Sequence, residues 1–482
     1  MHVVHPTFAA CSKRLALPVK YDTIIIGAGL SGLAAGIRLA YYDQNVLILE
    51  KHTTIGGLNS FYRLRGRNYD VGLHAITNYA APGTRTGPLA KLLKQLRLRW
   101  EDFNLTPQKG SAVVFPEHRL QFTNDFQVLQ QEIAEQFPDQ IDGFNKLTFE
   151  IEQFDDTNLN QPYRSAREIV QRYITNSTLE DMLFCPLMFY GSPTPHDMDF
   201  CQFVIMFKSI FLQGFARPAE GIRLILKNLV RKFKSLGGEL KLRGGVAEIL
   251  QKDGKAYGVR LEDGTEFECD VLLSSAGSLE TYRLTQAEEL TRPEPEPGAL
   301  SFIESIYALD KMPTDLGIDE TIIFYNNAPR FNYAPCEEPA DLSSGIICSP
   351  NNFEYDNPEL VKEGAVLRAT VIANPAYWMN LSEEAYRAAK EEWFPRILDK
   401  VSEKVAPFRE HIVDTDMFTP KTIWRFTGHA NGAVYGAPVK HRDGQTHLDN
   451  LYLCGTDQGF LGIIGSMLSG ISIANLYVLS RM

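Results

Sequence analysis

The chain has 482 residues, 44% hydrophobic and 22% charged, which suits two or three globular domains with ample core and excludes a disordered or fibrous protein. Its formal net charge of −11 argues against general nucleic-acid binding. The seven cysteines are odd in number and scattered without CxxC spacing, so reduced thiols are expected, and no metal.

The first 20 residues carry Lys13, Arg14 and Lys20 but no long apolar core, so no secretory signal is expected there. No uninterrupted apolar run reaches about 18 residues, so no spanning helix is expected and the predicted location is the cytoplasm. The β-branched run 23–26 feeds directly into Gly27-x-Gly29-x-x-Gly32, and an apolar helical pattern follows. Gly27 lets the chain turn off the strand, Gly29 lets backbone approach a pyrophosphate, and Gly32 lets the helix pack on the sheet. The helix N-terminus at Leu30 and Ser31 offers free N–H groups and a partial positive charge to phosphates. A second apolar run, 46–49, ends in Glu50, where a carboxylate can bind a ribose 2′-OH and would repel a 2′-phosphate. This is a dinucleotide-binding unit, with NADP disfavoured and NAD and FAD both open at this point.

Next come Lys51-His52-x-x-Ile55-Gly56-Gly57-Leu58, then Tyr69-Asp70, Gly72 and His74. This pattern resembles the FAD-binding amino-terminal region shared by amine oxidases, protoporphyrinogen oxidases and phytoene desaturases. The resemblance implies that Gly56, Gly57 and Leu58, following Lys51, bring backbone close to the flavin side of the cofactor.

Residues 88–200 read mostly as helices, with Leu89, Leu92, Leu93 and Leu96 on one face and further candidates at 125–137 and 144–154; they suggest an insertion that caps a substrate site. Residues 184–215 are the most aromatic and apolar part of the chain, and both a buried helix pair and an apolar substrate channel or membrane-dipping helix are open readings. Residues 219–236 form an amphipathic helix ended by Gly237-Gly238, and strands follow at 239–242, 246–251, 256–261 and 266–269. This segment resembles the second FAD-binding segment of the same group, which implies backbone contacts from Val246 to adenine. Arg292 to Pro297 is a stiff charged connection, strand-like runs resume at 301–309, 321–325 and 365–373, and 384–401 is helical.

At the carboxyl end, 451–453 is a strand running into Gly455-Thr456-Asp457, and Gly459, Gly462, Gly465 and Gly470 thread an apolar helix. This resembles the last FAD-binding motif of the phytoene desaturases. The resemblance implies that Asp457 accepts hydrogen bonds from the ribityl chain, and that the helix start at Gly462, Ile463 and Ile464 faces the flavin, with Gly455 in the turn. The amine oxidase branch usually has Gly-Glu here, a departure that counts against an amine substrate. The run Thr419-Pro420-Lys421-Thr422, Arg425 and Gly432-Ala-Val-Tyr435-Gly436-Ala-Pro438 looks like one found in carotenoid cis–trans isomerases and retinol saturases.

The expected fold is α/β: a Rossmann-like FAD-binding domain assembled from segments 1–85, 216–298 and 421–482, a helical insertion at 86–215, and a substrate domain of mixed sheet and helices at 299–420. The expected activity is desaturation, isomerisation or saturation of C=C bonds in a long apolar polyene or lipid chain with bound FAD. The alternatives are a flavin oxidase of a smaller amine or porphyrinogen, and a non-catalytic flavoprotein. His74, Glu304 and His429 are the candidate acid/base groups, His74 first because it follows Asp70-x-Gly72. The partner is a hydrophobic small molecule or lipid, with peripheral membrane contact expected from the apolar 200–215 stretch.

Overall fold

The computed structural model describes residues 19–72, 74–156, 161–286, 294–361 and 364–481. The leader expectation, Cys11 and the start of the Arg292–Pro297 connection lie outside the described residues.

Strand β1 (Val19–Ile26), helix α1 (Leu30–Ala40) and strand β2 (Val46–Glu50) form the expected opening unit. β2 is buried along its whole length: Val46 and Ile48 pack with the helices on one face, and Leu47 and Leu49 with side chains of Val246–Lys252 and Lys255–Leu261 on the other. β1 pairs in parallel with β2 on one side and with Glu266–Ser274 on the other. Glu239–Leu242 extends the sheet beyond β2, Leu451–Leu453 pairs in parallel with Glu266–Ser274, and the antiparallel strands Val246–Lys252 and Lys255–Leu261 complete seven. Three distant stretches of chain thus build one sheet.

Helix Gly462–Tyr477 lies across α1. A Cβ on Gly470 would sit 2.0 Å from the Ser31 carbonyl oxygen, so only glycine admits this crossing. Its stretch Gly462–Arg481 is long and apolar enough to span a membrane by composition, which the sequence reading did not anticipate; half of it is buried within the fold.

A second seven-stranded sheet runs in the order Ile412–Phe418, Ser301–Leu309, Val366–Ala373, Ser344–Cys348, Ile322–Asn326, Ser111–Val114, Arg119–Phe122. Its last two strands correct the expectation that 86–215 is a helical insertion: Ser111–Val114 pairs in parallel with Ile322–Asn326, and Leu105–Pro107 pairs with Ala216–Pro218. These strands are three or four residues long, too short to show alternation beside the leucine-patterned helices that flank them.

The remainder of the insertion is helical: Phe126–Gln136, Ile141–Gln153, Ser177–Gly191, and Phe200–Phe207 running into a wider turn at Lys208–Leu212. Phe184, Phe200, Phe203, Phe207, Phe211 and Phe215 are buried together in its core. Residues 200–215 are therefore interior, and the membrane-dipping reading of that stretch is withdrawn: its apolar surface is covered by the protein's own helices and sheet.

Candidate active site

The opening turn is shaped by what each glycine excludes. Gly27 has φ +95°, and its Cβ would meet Ser275 Oγ at 2.4 Å; a Cβ on Gly32 would meet the Gly27 carbonyl at 2.1 Å. Gly29 differs: it is the N-cap of α1 with ordinary φ −70°, and a Cβ there would have nothing within 4 Å. Gly57 lies opposite, its would-be Cβ 3.9 Å from the Gly29 Cα, and Gly29 and Gly56 form a bridge. The first N–H groups of α1, at Leu30 and Ser31, open onto this space with no intrahelical acceptor. Backbone donors, a helix N-terminus and open volume between two glycine stretches fit a pyrophosphate.

Glu50, at the end of β2, is held in place: its Oε2 accepts from Ala28 N–H and its Oε1 from His52 N–H, both at 2.9 Å. The Arg243 and Gly244 amides donate to the carbonyls of His52 and Glu50, which brings the turn preceding Val246 to the same corner. Lys51 points away, with its amine 3.4 Å from Glu262 on the surface. Gly455 (φ +95°) faces Ser31 Oγ, and its N–H donates to Ser469 Oγ at 2.6 Å, tying the carboxyl-terminal motif to α1.

Asp457 does not do what the resemblance implied. Its carboxylate is 3% exposed and turned inward, accepting from Ser278 N–H at 2.6 Å and Ala437 N–H at 2.8 Å, with Lys440 Nζ at 3.4 Å. Burial pushes this carboxyl up, but Lys440, those amides and His429 outweigh it and hold it below its ordinary value. The residue at the cleft is Thr456, one position earlier. Asp457 therefore locks three segments together behind the cleft.

A cavity of about 210 Å³ opens beside these glycine stretches. Leu58, Gly72, Thr456, Gly462 and Ile463 line its cofactor side; Phe189, Tyr190, Phe302 and Tyr435 line the other, with His74, Glu304 and Thr370 at a polar end. Ile464 is buried in the core behind. A larger cleft of about 600 Å³, next to Asp199, Lys440 and Arg442, contains none of the predicted site residues.

The structure brings His74 and Glu304 together: Nε2 lies 3.0 Å from Oε1 and 3.1 Å from Oε2. Arg368 Nε donates to Glu304 Oε1 at 2.6 Å, and the Thr370 hydroxyl donates to Oε2. Burial raises the Glu304 carboxyl, yet His74, Arg368 and the hydrogen bonds overcome it and lower it from 4.5 to about 2. Glu304 is thus a fixed anion that orients His74, and a poor proton carrier near neutral pH. The backbone is held as firmly: Arg217 donates to the His74 carbonyl at 3.2 Å and to buried Asp70 at 2.9 Å, and Asp70 also accepts from Arg223 and Ile222 N–H. Arg368, Thr370 and Thr456 have no assigned role in the sequence reading, and Tyr190 enters it only as part of the aromatic block 184–215. Arg368 had a visible signal, a lone charge inside the apolar run 365–373.

His429 is placed elsewhere, with Nδ1 3.7 Å from Glu280 and the ring beside Gly277. Burial depresses it, but the Glu280 carboxylate more than compensates, and the net shift is upward from 6.5. A raised folded value means stability that is present in full below the unfolded value and lost as pH rises through the folded one. The melting temperature of wild type is therefore expected to exceed that of His429→Gln at pH 6, with the gap closing as pH is raised; a gap that widens with pH would refute this pairing.

The family model for flavin-containing amine oxidoreductases matches residues 30–476, nearly the whole described chain. The chain belongs to the flavin-containing amine oxidoreductase family. It is an FAD-dependent oxidoreductase, and the cradle at Gly29, Gly57 and Glu50 fits that cofactor. It is similar to the chloroplastic prolycopene isomerase of Arabidopsis thaliana, 23% identical over 94% of this chain and 82% of the relative. It is also similar to the all-trans-retinol 13,14-reductase of Danio rerio, 24% identical over 96% of this chain and 87% of the relative. An oxidoreductase from Methanosarcina mazei shares the fold, with TM-score 0.67 and 18% identity over 95% of this chain and all of that one.

Proposed function

We propose that this enzyme acts on C=C bonds of a long, apolar, conjugated chain of the carotenoid or retinoid type, desaturating, isomerising or saturating it. The observation that carries the reading is the cavity itself: an aromatic wall of Phe189, Tyr190, Phe302 and Tyr435 facing the cofactor side across a narrow space. Such a wall holds a flat polyene by dispersion and water exclusion, which is all that a chain without polar handles offers. Bound FAD supplies hydride acceptance or donation. Relatives named for prolycopene and for all-trans-retinol, aligned with this chain almost end to end, support the same reading.

A charged amine would be favoured by an anion free to pair with it. The anion in this wall, Glu304, already pairs with Arg368 and is hydrogen-bonded to His74. The substrate class also leads us to place the enzyme in the cytoplasm in contact with a membrane surface. Trp424 and Phe426, about half exposed on the helix whose Ile423 lines the cavity, are the surface that supports this.

The test is an anaerobic spectrum of the FAD-loaded enzyme mixed with saturated-type, cis-polyene and all-trans polyene substrates in turn. Bleaching of the oxidised flavin by one of them identifies a desaturase. A polyene shift with pre-reduced enzyme identifies an isomerase, or a saturase if the product gains two hydrogens in mass. Turnover of amines alone, with peroxide release, would overturn the proposal.

A further inference from the structure

Making or removing a C=C bond moves two hydrogens, and a flavin carries only one of them as hydride. The other leaves or arrives as a proton, and a conjugated hydrocarbon has no group of its own to exchange it, so the task falls to the cavity wall. The threonines, serine and asparagine of that wall do not titrate near neutral pH. Burial pushes the Tyr190 and Tyr435 phenols up, and Glu304 is held as an anion against Arg368. There remains His74, whose imidazole is the side-chain type suited to proton exchange near neutral pH.

His74 has one ring nitrogen engaged and the other open. Both Glu304 oxygens lie against Nε2, at 3.0 and 3.1 Å, and a carboxylate can only accept, so the hydrogen-bond network assigns the proton to Nε2. Thr370 Oγ1, 3.4 Å from Nε2, gives its own proton to Glu304 and so accepts as well. In the neutral ring Nδ1 is therefore a bare acceptor. It has no protein partner among the described residues, yet it is not sealed off: it keeps accessible surface, in a side chain that is 13% exposed and lines the cavity. The charged groups around His74 are Glu304 and Arg368 at its ring, Arg217 at its carbonyl and Asp70 beyond Arg217. A proton arriving on Nδ1 makes an imidazolium whose other nitrogen already faces a fixed anion.

We infer that His74 Nδ1 is the proton carrier of the reaction, with Glu304, Arg368 and Thr370 as its positioning residues. The inference rests on the polyene reading and adds the residue that performs its proton step. In desaturation one C–H bond gives up its hydrogen and electron pair as hydride to FAD, the neighbouring C–H gives its proton to Nδ1, and the pair left behind becomes the new C=C bond. Saturation runs the same transfers backwards, with the proton coming from the imidazolium. In isomerisation the imidazolium lends one proton to the polyene, the resulting cation rotates about the former double bond, and Nδ1 takes the proton back with no net redox change.

Two measurements on the FAD-loaded enzyme test this. Nitrogen NMR of the histidine-labelled protein should show a neutral His74 ring protonated at Nε2, the signal being assigned by its loss in His74→Gln or His74→Asn. In kinetics His74→Gln should keep its FAD and lose at least about a hundredfold in kcat, with KM for the polyene changed less than about threefold. Wild-type kcat/KM should fall toward acid in the desaturating direction and toward alkali in the saturating one, and this limb should vanish in His74→Gln. Added imidazole should restore at least about tenfold of the rate lost in His74→Ala, which a merely structural histidine would not allow. A proton on Nδ1 of the neutral ring, or a pH limb that survives in His74→Gln, would overturn the inference and leave the polyene reading standing. So would loss of FAD from both His74→Gln and His74→Ala, which would assign His74 to holding the cofactor. A wild type that turns over no polyene would overturn both.

Discussion

Removing the Glu304 side chain by substitution with alanine is expected to destabilise the protein by about 3–5 kcal/mol, because it leaves a buried guanidinium without its anion. Arg368 is 1% exposed and donates to Glu304 at 2.6 Å. The same change takes away the acceptor of the Thr370 hydroxyl and the group that orients His74. Glu304→Gln keeps the volume and part of the hydrogen bonding but not the charge, so it should fall between alanine and wild type. The pH arm has a definite sign. The folded carboxyl sits at about 2 against an ordinary 4.5, so its contribution is present above the unfolded value and is lost as pH falls toward 2. A depression of that size corresponds to roughly 3 kcal/mol. Urea unfolding at pH 7 measures the first effect, and melts between pH 5 and pH 3 measure the second. An alanine variant within 1 kcal/mol of wild type would mean that Arg368 finds another anion and that the network does not fix His74.

What could be read in the sequence was local. Gly27, Gly29 and Gly32 sit within six residues: Gly27 takes a positive φ, a Cβ on Gly32 would meet the Gly27 carbonyl, and Gly29 leaves the space before α1 open, so spacing alone exposes them. The acid at the end of β2 follows from strand length, and the apolar helix after Gly462 from composition. What could not be read was non-local or one residue out of phase. The parallel pairing of Ser111–Val114 with Ile322–Asn326 joins strands about two hundred residues apart, and nothing in a four-residue run names its partner. Asp457 and Thr456 are neighbours, yet the turn places Thr456 at the cleft and turns the Asp457 carboxylate to Ser278 and Ala437. Within 184–215 a core phenylalanine and a cavity-lining one obey the same burial rule; only the fold separates Phe203, packed inside, from Phe189 and Tyr190 at the cavity. His74 and Glu304 stand 230 residues apart in the chain, and the sheet that carries Glu304, Arg368 and Thr370 is what makes them a pair.

Gly29→Asp is expected to separate folding from cofactor binding with opposite signs. Gly29 caps α1 with φ −70° and ψ 177°, a conformation open to any residue, and its Cβ position is clear of atoms within 4 Å. Aspartate is a favoured N-cap, and a negative charge at a helix start is favourable, so the FAD-free variant should be as stable as wild type or a few tenths of a kcal/mol more stable. For FAD the same carboxylate is doubly harmful. It takes the N–H groups a pyrophosphate would use, and it places like charge beside it; at about 4 Å and an effective dielectric near 20 that repulsion is about 4 kcal/mol, on the order of a thousandfold in affinity. Gly32→Ala is the contrasting change. Its methyl would lie 2.1 Å from the Gly27 carbonyl oxygen, so the turn itself must move, and both stability and FAD content should fall. Flavin-to-protein ratio after ultrafiltration, set beside chemical denaturation of the FAD-stripped proteins, reads both quantities. If Gly29→Asp kept its full complement of flavin, the open space at the start of α1 could not be where the pyrophosphate lies, and the cradle would have to be sought along the Gly56-Gly57 stretch alone.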